Sequence, residues 1–296
     1  MQEQMSAAAD LTFGDEPNFR LIRVTGDDAE QFLQGQLTQN VRNITADKAV
    51  WCAACNYQGR AASTAMIFRI PEGFAMLMSA SVAESELKRL KMYVLRSKVT
   101  LEIAPCPVRF VLASDAAAEA AGFPAEDMQT LVGKAASVVR LPKVEGCDKA
   151  AFVFFGDFAV DAESDRLADY LMNAGVILIE KEMSLQWLPQ ALNMDLIGAV
   201  SLNKGCYNGQ EVINKTQSLG RIKRRMALGC ADVETPAVGT EILSAGNVVG
   251  EVIASRGSRF LFVAEWSEFD AELTIAGRKV TRIAFPYEVN VPKSVI

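Results

Sequence analysis

The chain has 296 residues, half of them hydrophobic, with 36 acidic against 30 basic side chains and a formal net charge of −6. That length can bury a full core and suggests two domains, while the charge disfavours a protein that grips nucleic-acid backbone over a broad face. Histidine is absent from the sequence, which removes Ser-His-Asp and Cys-His pairs, His-ligated zinc and any imidazole base. Chemistry is left to thiol, carboxylate, amine, phenol or a bound cofactor.

Met1 to Asp10 shows neither a basic stretch nor an apolar run, and nothing in the chain approaches the ~20 apolar residues that cross a bilayer. A soluble, cytoplasmic protein without membrane contact is expected. Six scattered cysteines in a chain with an ample core suit reduced thiols better than disulfides.

In chain order, Phe19 to Val24 has strand character, and Gly26-Asp27-Asp28 offers helix caps before Ala29, Phe32 and Leu33. The polar loop Gln34 to Asn40 follows. Strands are expected at Lys48 to Asn56, Ala62 to Ile70 and Phe74 to Met78, joined at Gln58-Gly59-Arg60 and Pro71-Glu72-Gly73. Ser81 with Glu84 has the form of a capping box opening a helix through Leu87, Leu90, Tyr93 and Val94. Strands at Lys98 to Ile103 and Val108 to Ala113 and a helix from Glu163 to Asn173, stopped by Gly175, complete an α+β pattern. After Gly220 come short apolar runs punctuated by Gly, Asn and Pro, the pattern of a small antiparallel β-barrel. The expected division is 1–222 and 223–296.

Trp51-Cys52-Ala53-Ala54-Cys55 has the spacing of a redox motif, but in a strand positions i and i+3 face opposite sides, so core packing is the better reading. With no second cysteine pair and no histidine, no metal site is expected. Lys204-Gly205-Cys206-Tyr207-Asn208-Gly209-Gln210-Glu211 differs in kind, concentrating a cation, a thiol, a phenol, amides and a carboxylate between two glycines. Gly205 and Gly209 permit positive φ and close backbone approach, and Gly209 to Glu211 would open a helix through Val212, Ile213 and Thr216. A helix start with Lys204 nearby would favour the Cys206 thiolate.

Lys-Gly-Cys-Tyr-x-Gly-Gln-Glu resembles the signature of the YgfZ family, relatives of the glycine cleavage T-protein. Leu33-Gln34-Gly35-Gln36-Leu37-Thr38, Gln58-Gly59-Arg60 and Pro189-Gln190 with Asn193 match further family elements in the expected order. The resemblance implies a T-protein-type folate-binding domain with a central pocket, followed by the barrel. It also implies tetrahydrofolate or a derivative as ligand and a role in maintaining iron-sulfur enzymes, including those that modify tRNA. Cys206 is the implied chemical residue, at the rim of the pocket. Lys204, Gly205, Tyr207, Gly209, Gln210, Glu211, Gln36, Arg60 and Asn173 are the implied cofactor-binding set. Iron-sulfur enzymes or their assembly factors are the implied partners.

Two departures matter. Where the T-protein carries an aspartate pair, this chain has Ser63 and Thr64, which cannot ionise near neutral pH, so aminomethyl transfer is disfavoured. Where a Glu-Ala-Gly is common, this chain has Asn173-Ala174-Gly175, which forfeits a charged bidentate contact to the pterin. Arg221-Ile222-Lys223-Arg224-Arg225 forms a dense basic cluster, either a solvated linker or a contact for a folate tail or nucleic-acid phosphate. A one-carbon transferase or thiol enzyme and a tRNA-binding module therefore remain alternatives. Phe19, Tyr207 and Trp187 are candidate stacking partners for a pterin.

Overall fold

The computed structural model describes residues 11–134, 136–156, 164–220 and 222–291. Met1 to Asp10, Glu163 and Arg221, which figured above, lie outside them. β1 (Leu11–Asp15) opens the described chain, followed by β2 (Phe19–Thr25), helix α1 (Ala29–Gln34), β3 (Val50–Cys55), β4 (Ala61–Ile70), β5 (Gly73–Ser79), α2 (Ala80–Tyr93) and β6 (Thr100–Ile103). β2 to β6 form an antiparallel sheet in the order β3-β4-β5-β2-β6. Runs of β-branched, aromatic and Met residues between turn signals build these strands, as the sequence pattern suggests.

Helix α2 starts earlier than expected. Ser79, the last residue of β5, is its N-cap, and the Ser79 hydroxyl accepts the Ser81 N–H at 3.3 Å. Strand passes directly into helix, so Ser81 has no cap to supply and its hydroxyl accepts the Lys181 N–H instead.

A second sheet contains strands that sequence reading did not mark. β7 (Val108–Ala113), helix α3 (Asp115–Ala120), β8 (Thr130–Val132), β9 (Ala136–Arg140) and β10 (Ala150–Gly156) combine with β1 in the order β1-β7-β10-β9-β8. Helix α4 (Arg166–Asn173) follows and ends at Gly175, whose φ of +68° is the left-handed conformation of a helix stop. Glu16 anchors its start, accepting the Ser164 hydroxyl at 2.7 Å and the Leu167 N–H at 3.1 Å, and burial raises its carboxyl above the usual range. Helix α5 (Gln210–Ser218) leads to the third sheet.

That sheet is built from β11 (Arg224–Cys230), β12 (Glu241–Ser244), β13 (Asn247–Arg256), β14 (Arg259–Glu265), β15 (Leu273–Ile275), β16 (Arg278–Lys279) and β17 (Thr281–Ile283). Its order is β16-β15-β12-β13-β14-β11-β17. The two edge strands follow each other through Val280, so the sheet curls into a nearly closed antiparallel barrel. The chain is α+β with few helices. None of them, among the described residues, is long and apolar enough to cross a membrane.

The three sheets share one hydrophobic cluster. Phe19, Trp51, Met66 and Phe68 of the first, Phe110, Val153 and Phe155 of the second, and Met226, Leu228, Leu261 and Val263 of the third belong to it. Phe68 and Phe155 stack across the first two sheets with centroids 5.4 Å apart. Cys55 lies in this cluster while Cys52 lies in a separate one beneath α1 and α2. The two thiols thus point to opposite faces of β3. Burial pushes Cys52 up to about 12 and raises Cys55 further, so neither supplies thiolate near neutral pH.

Candidate functional site

The signature segment is a loop that closes over the rest of the first sheet and then turns into α5. Lys204 crosses from it to the Gln34 to Asn40 loop, where its ammonium donates to three carbonyls: Gln34 at 2.8 Å, Leu37 at 2.6 Å and Gln39 at 2.7 Å. Its three N–H donors all have acceptors. The Tyr207 ring lies beneath it, with Nζ 4.8 Å from the centroid. Burial lowers the ammonium to about 8. Lys204 is therefore a clamp between two loops, its ammonium committed to three carbonyls of the Gln34 to Asn40 loop.

The same loop is fixed at further points. Gln210 donates to the Lys204 carbonyl at 3.4 Å, and Asn208 donates to the Gln36 side-chain oxygen at 3.5 Å. Gln36 also accepts from Arg89 at 3.5 Å, and Arg89 forms a two-pronged pair with the buried Glu86 at 2.7 and 2.9 Å. Tyr207 is buried, its phenol pushed up by desolvation and its hydroxyl unpartnered. Gly209 has φ +82°, and a Cβ there would stand 2.5 Å from the Asn56 carbonyl oxygen. Gly205 differs from expectation: its φ is not positive and a Cβ there would meet nothing within 4 Å. It leaves open space beside Cys206, which is the exposed member of the six cysteines. Glu211 is exposed on the first turn of α5.

Two clefts lie where sheet and barrel meet, and no residue of Lys204 to Glu211 lines either. The central one, of about 160 Å³, lies between the first sheet, α4, residues 176–180 and the barrel. Phe19, Leu171, Met172, Val176, Ile253 and Leu261 give it apolar walls, and Ser79, Glu180 and Arg256 give it polar groups. The Nε of Arg256 is buried without a partner. None of the implied binding residues lines this cleft, and neither does Cys206. Asn173 turns away from it: its amide donates to the Asp169 carbonyl at 2.7 Å and its oxygen accepts from Arg259 at 2.8 Å. Arg259 in turn pairs with Asp169 at 2.7 Å. The carboxylate on the cleft is Glu180, seven residues further on. The apolar run Val176 to Ile179 ending in a single carboxylate was the sequence signal for it.

Thr64 holds the backbone of the segment that lines this cleft. Its hydroxyl donates to the Ile177 carbonyl at 2.7 Å and accepts the Ile179 N–H at 2.8 Å. Ser63 and Thr64 are both buried. A residue that could have been an acid is here a backbone clasp for the segment that carries Glu180.

The second cleft, of about 930 Å³, is walled by the Gln58 to Arg60 turn, the 185–191 segment, α5 and the start of the barrel. Arg60 lines it and donates to the Gln186 carbonyl. Trp187, Lys223 and Arg224 line it too. Arg225 does not share the character of its neighbours. It is fully buried, pairs with Asp195 through two bonds of 2.6 and 3.0 Å, and donates to the Gln190 and Asn290 carbonyls. A structural ion pair thus takes Arg225 out of both the solvated-linker and the ligand-contact readings of the basic cluster. Asn193, in the left-handed conformation at φ +58°, binds both the N–H and the carbonyl of Met226 through its side chain. Pro189, Gln190 and Asn193 therefore serve the joint with the barrel.

No protein-family model matches the chain. The solved structure of glycine cleavage system aminomethyltransferase T from Bartonella henselae matches with a TM-score of 0.70 over 95% of this chain and 87% of that one, at 14% identity. The T-protein fold is thereby shown. Curated proteins named tRNA-modifying protein YgfZ are similar in sequence: that of Escherichia fergusonii is 33% identical over 248 residues, 77% of this chain and 74% of its own length. Those of Escherichia coli and Shigella dysenteriae show the same 33% identity and coverage. With that identity along three quarters of its length and the Lys204 to Glu211 signature intact, the chain belongs to the YgfZ family.

Proposed function

We propose that this chain binds tetrahydrofolate or a derivative in the central cleft. It would act as an accessory protein for iron-sulfur enzymes of tRNA modification, with Cys206, which lies outside that cleft, as its chemical residue. The carrying observation is how the signature uses its residues. Lys204, Tyr207, Gly209 and Gln210 all hold the loop in place, and Cys206 alone among the cysteines is left exposed. Tying down so many groups to present one thiol favours a role for that thiol.

The central cleft suits a pterin in shape and chemistry. Apolar walls accept a flat ring, Glu180 can accept from ring N–H groups, and the unpartnered Nε of Arg256 can donate to a carboxylate of the glutamate tail. A volume of about 160 Å³ holds a ring system, with the tail toward the mouth. When bound, a reduced folate supplies a one-carbon carrier. Aminomethyl transfer is disfavoured, because the hydroxyls at Ser63 and Thr64 cannot act as carboxylates and Thr64 is already engaged on both sides. Cytoplasmic location and iron-sulfur partners follow from the family resemblance.

Calorimetric titration with tetrahydrofolate tests the ligand. Binding weakened by Glu180→Gln is expected, and no heat at high micromolar ligand would sink the reading. For the thiol, Cys206→Ser should lower iron-sulfur tRNA-modifying activity in cells, and unchanged activity would remove its role.

A further inference from the structure

We infer that the second cleft is a ligand site of its own, built for a nucleotide: a flat nitrogen heterocycle carrying phosphate. No residue lines both it and the central cleft. Its volume of about 930 Å³ is that of a small-molecule site, and it sits where the first sheet, the signature helix and the barrel meet, a common location for one. The inference stands whether or not folate occupies the central cleft.

Two independent features carry it. The first is the pairing of an aromatic wall with cations. Trp187 lines the cleft with the Arg224 guanidinium 5.7 Å from its ring centroid, and the exposed Arg60 and Lys223 lie along the same lining. Arg224 reaches the carboxylate of Glu265 only at 4.0 Å. Heterocyclic bases stack on such walls, and guanidinium groups hold phosphate in a two-pronged grip.

The second is unmet hydrogen bonding. Trp187 is 9% and Gln190 1% exposed, both line the cleft, and the indole N–H of one and the side-chain oxygen of the other have no partner. Two of the seven such atoms among the described residues therefore belong to residues that line this cleft. Native interiors leave few polar atoms unpaired, and one donor and one acceptor side by side behind the wall match the mixed edge of a nucleobase.

The test is calorimetry on the full chain with AMP, GMP, CMP, UMP, inorganic phosphate and a single-stranded oligoribonucleotide. Mononucleotides are expected to bind about tenfold or more tightly than phosphate alone, because stacking adds to the ionic grip. Replacing the exposed cations together, Lys223→Gln with Arg224→Gln, should weaken nucleotide binding about tenfold. Trp187→Phe keeps a ring but removes the N–H and should weaken it about fivefold. Tetrahydrofolate binding should be unchanged in these variants. An oligonucleotide that binds more tightly than its monomers, with a steep salt dependence, assigns the site to an RNA strand, and equal affinity assigns it to a free nucleotide. The inference is overturned by absence of nucleotide and oligonucleotide binding at millimolar concentration or by equal affinity for phosphate alone. Binding indifferent to the double substitution, or competition between tetrahydrofolate and nucleotide, would overturn it as well.

Discussion

Gly209 and Gly59 meet backbone to backbone: a Cβ on Gly209 would stand 2.7 Å from the Cα of Gly59 and 2.9 Å from its nitrogen. This contact seats the start of α5 on the turn that carries Arg60, and it joins residues 150 positions apart. Gly209→Ala would combine a left-handed backbone with a backbone clash, at a cost of about 3 kcal/mol. Gly205→Ala, whose Cβ enters open space, should change stability by less than about 0.5 kcal/mol. Urea denaturation of the two variants reads both numbers, and equal losses would contradict the arrangement.

Lys204 makes stability depend on pH. Its folded-state value of about 8 lies below the ordinary 10.5 because burial disfavours the charged form. Between those values the unfolded chain holds a proton that the folded chain has released, so this residue's contribution rises with pH across that window. Cys52 and Cys55 act in the opposite sense. Their raised folded values make stability fall as pH climbs past the ordinary thiol range. The difference between wild type and Lys204→Met isolates the lysine. It should shift toward wild type between pH 7.5 and about 10 in urea midpoints, and a flat difference would refute the assignment.

Alkylation with iodoacetamide, followed by mass spectrometry, should mark Cys206 first and leave Cys52 and Cys55 unmodified until the chain unfolds. Cys206→Ser should fold with stability within about 0.5 kcal/mol of wild type. Early labelling of Cys52 or Cys55 would show that the first sheet opens far more readily than its packing implies.

Adjacent arginines should behave oppositely. Arg225→Met strands the buried Asp195 carboxylate and two carbonyls, for a loss of about 3–5 kcal/mol. Arg224→Gln, at an exposed position, should cost less than about 0.5 kcal/mol. Thermal denaturation distinguishes them, and similar melting temperatures would contradict the ion pair.

Much of this architecture was legible in the sequence, because period and turn chemistry are local. The meander of β3, β4 and β5, the opening of α5 at Gly209 and the succession of barrel strands all follow from short windows. Of the second sheet only β7 was legible: β8 and β9 are three and five residues long, and β1 joins them through β7 and β10 from the far end of the domain. The roles of single residues were hardest. Lys204 was read against its neighbour Cys206, yet its acceptors lie at positions 34, 37 and 39. Arg225 was read as part of a basic run, although strand alternation sends it inward while Arg224 stays out. Asn173 was read as a departure from a Glu-Ala-Gly motif at the cleft, whereas the carboxylate on the cleft belongs to a segment placed there by Thr64.

The shared core has a consequence for any attempt to divide the chain. Met226, Leu228, Leu261 and Val263 of the barrel pack in the same cluster as Phe19, Trp51 and Phe155. A fragment ending before Arg224 would lose those four side chains and the partners of Asn193 and Asp195 at once. The barrel is thus a keystone rather than an appendage, and the three sheets should melt together as a single calorimetric transition.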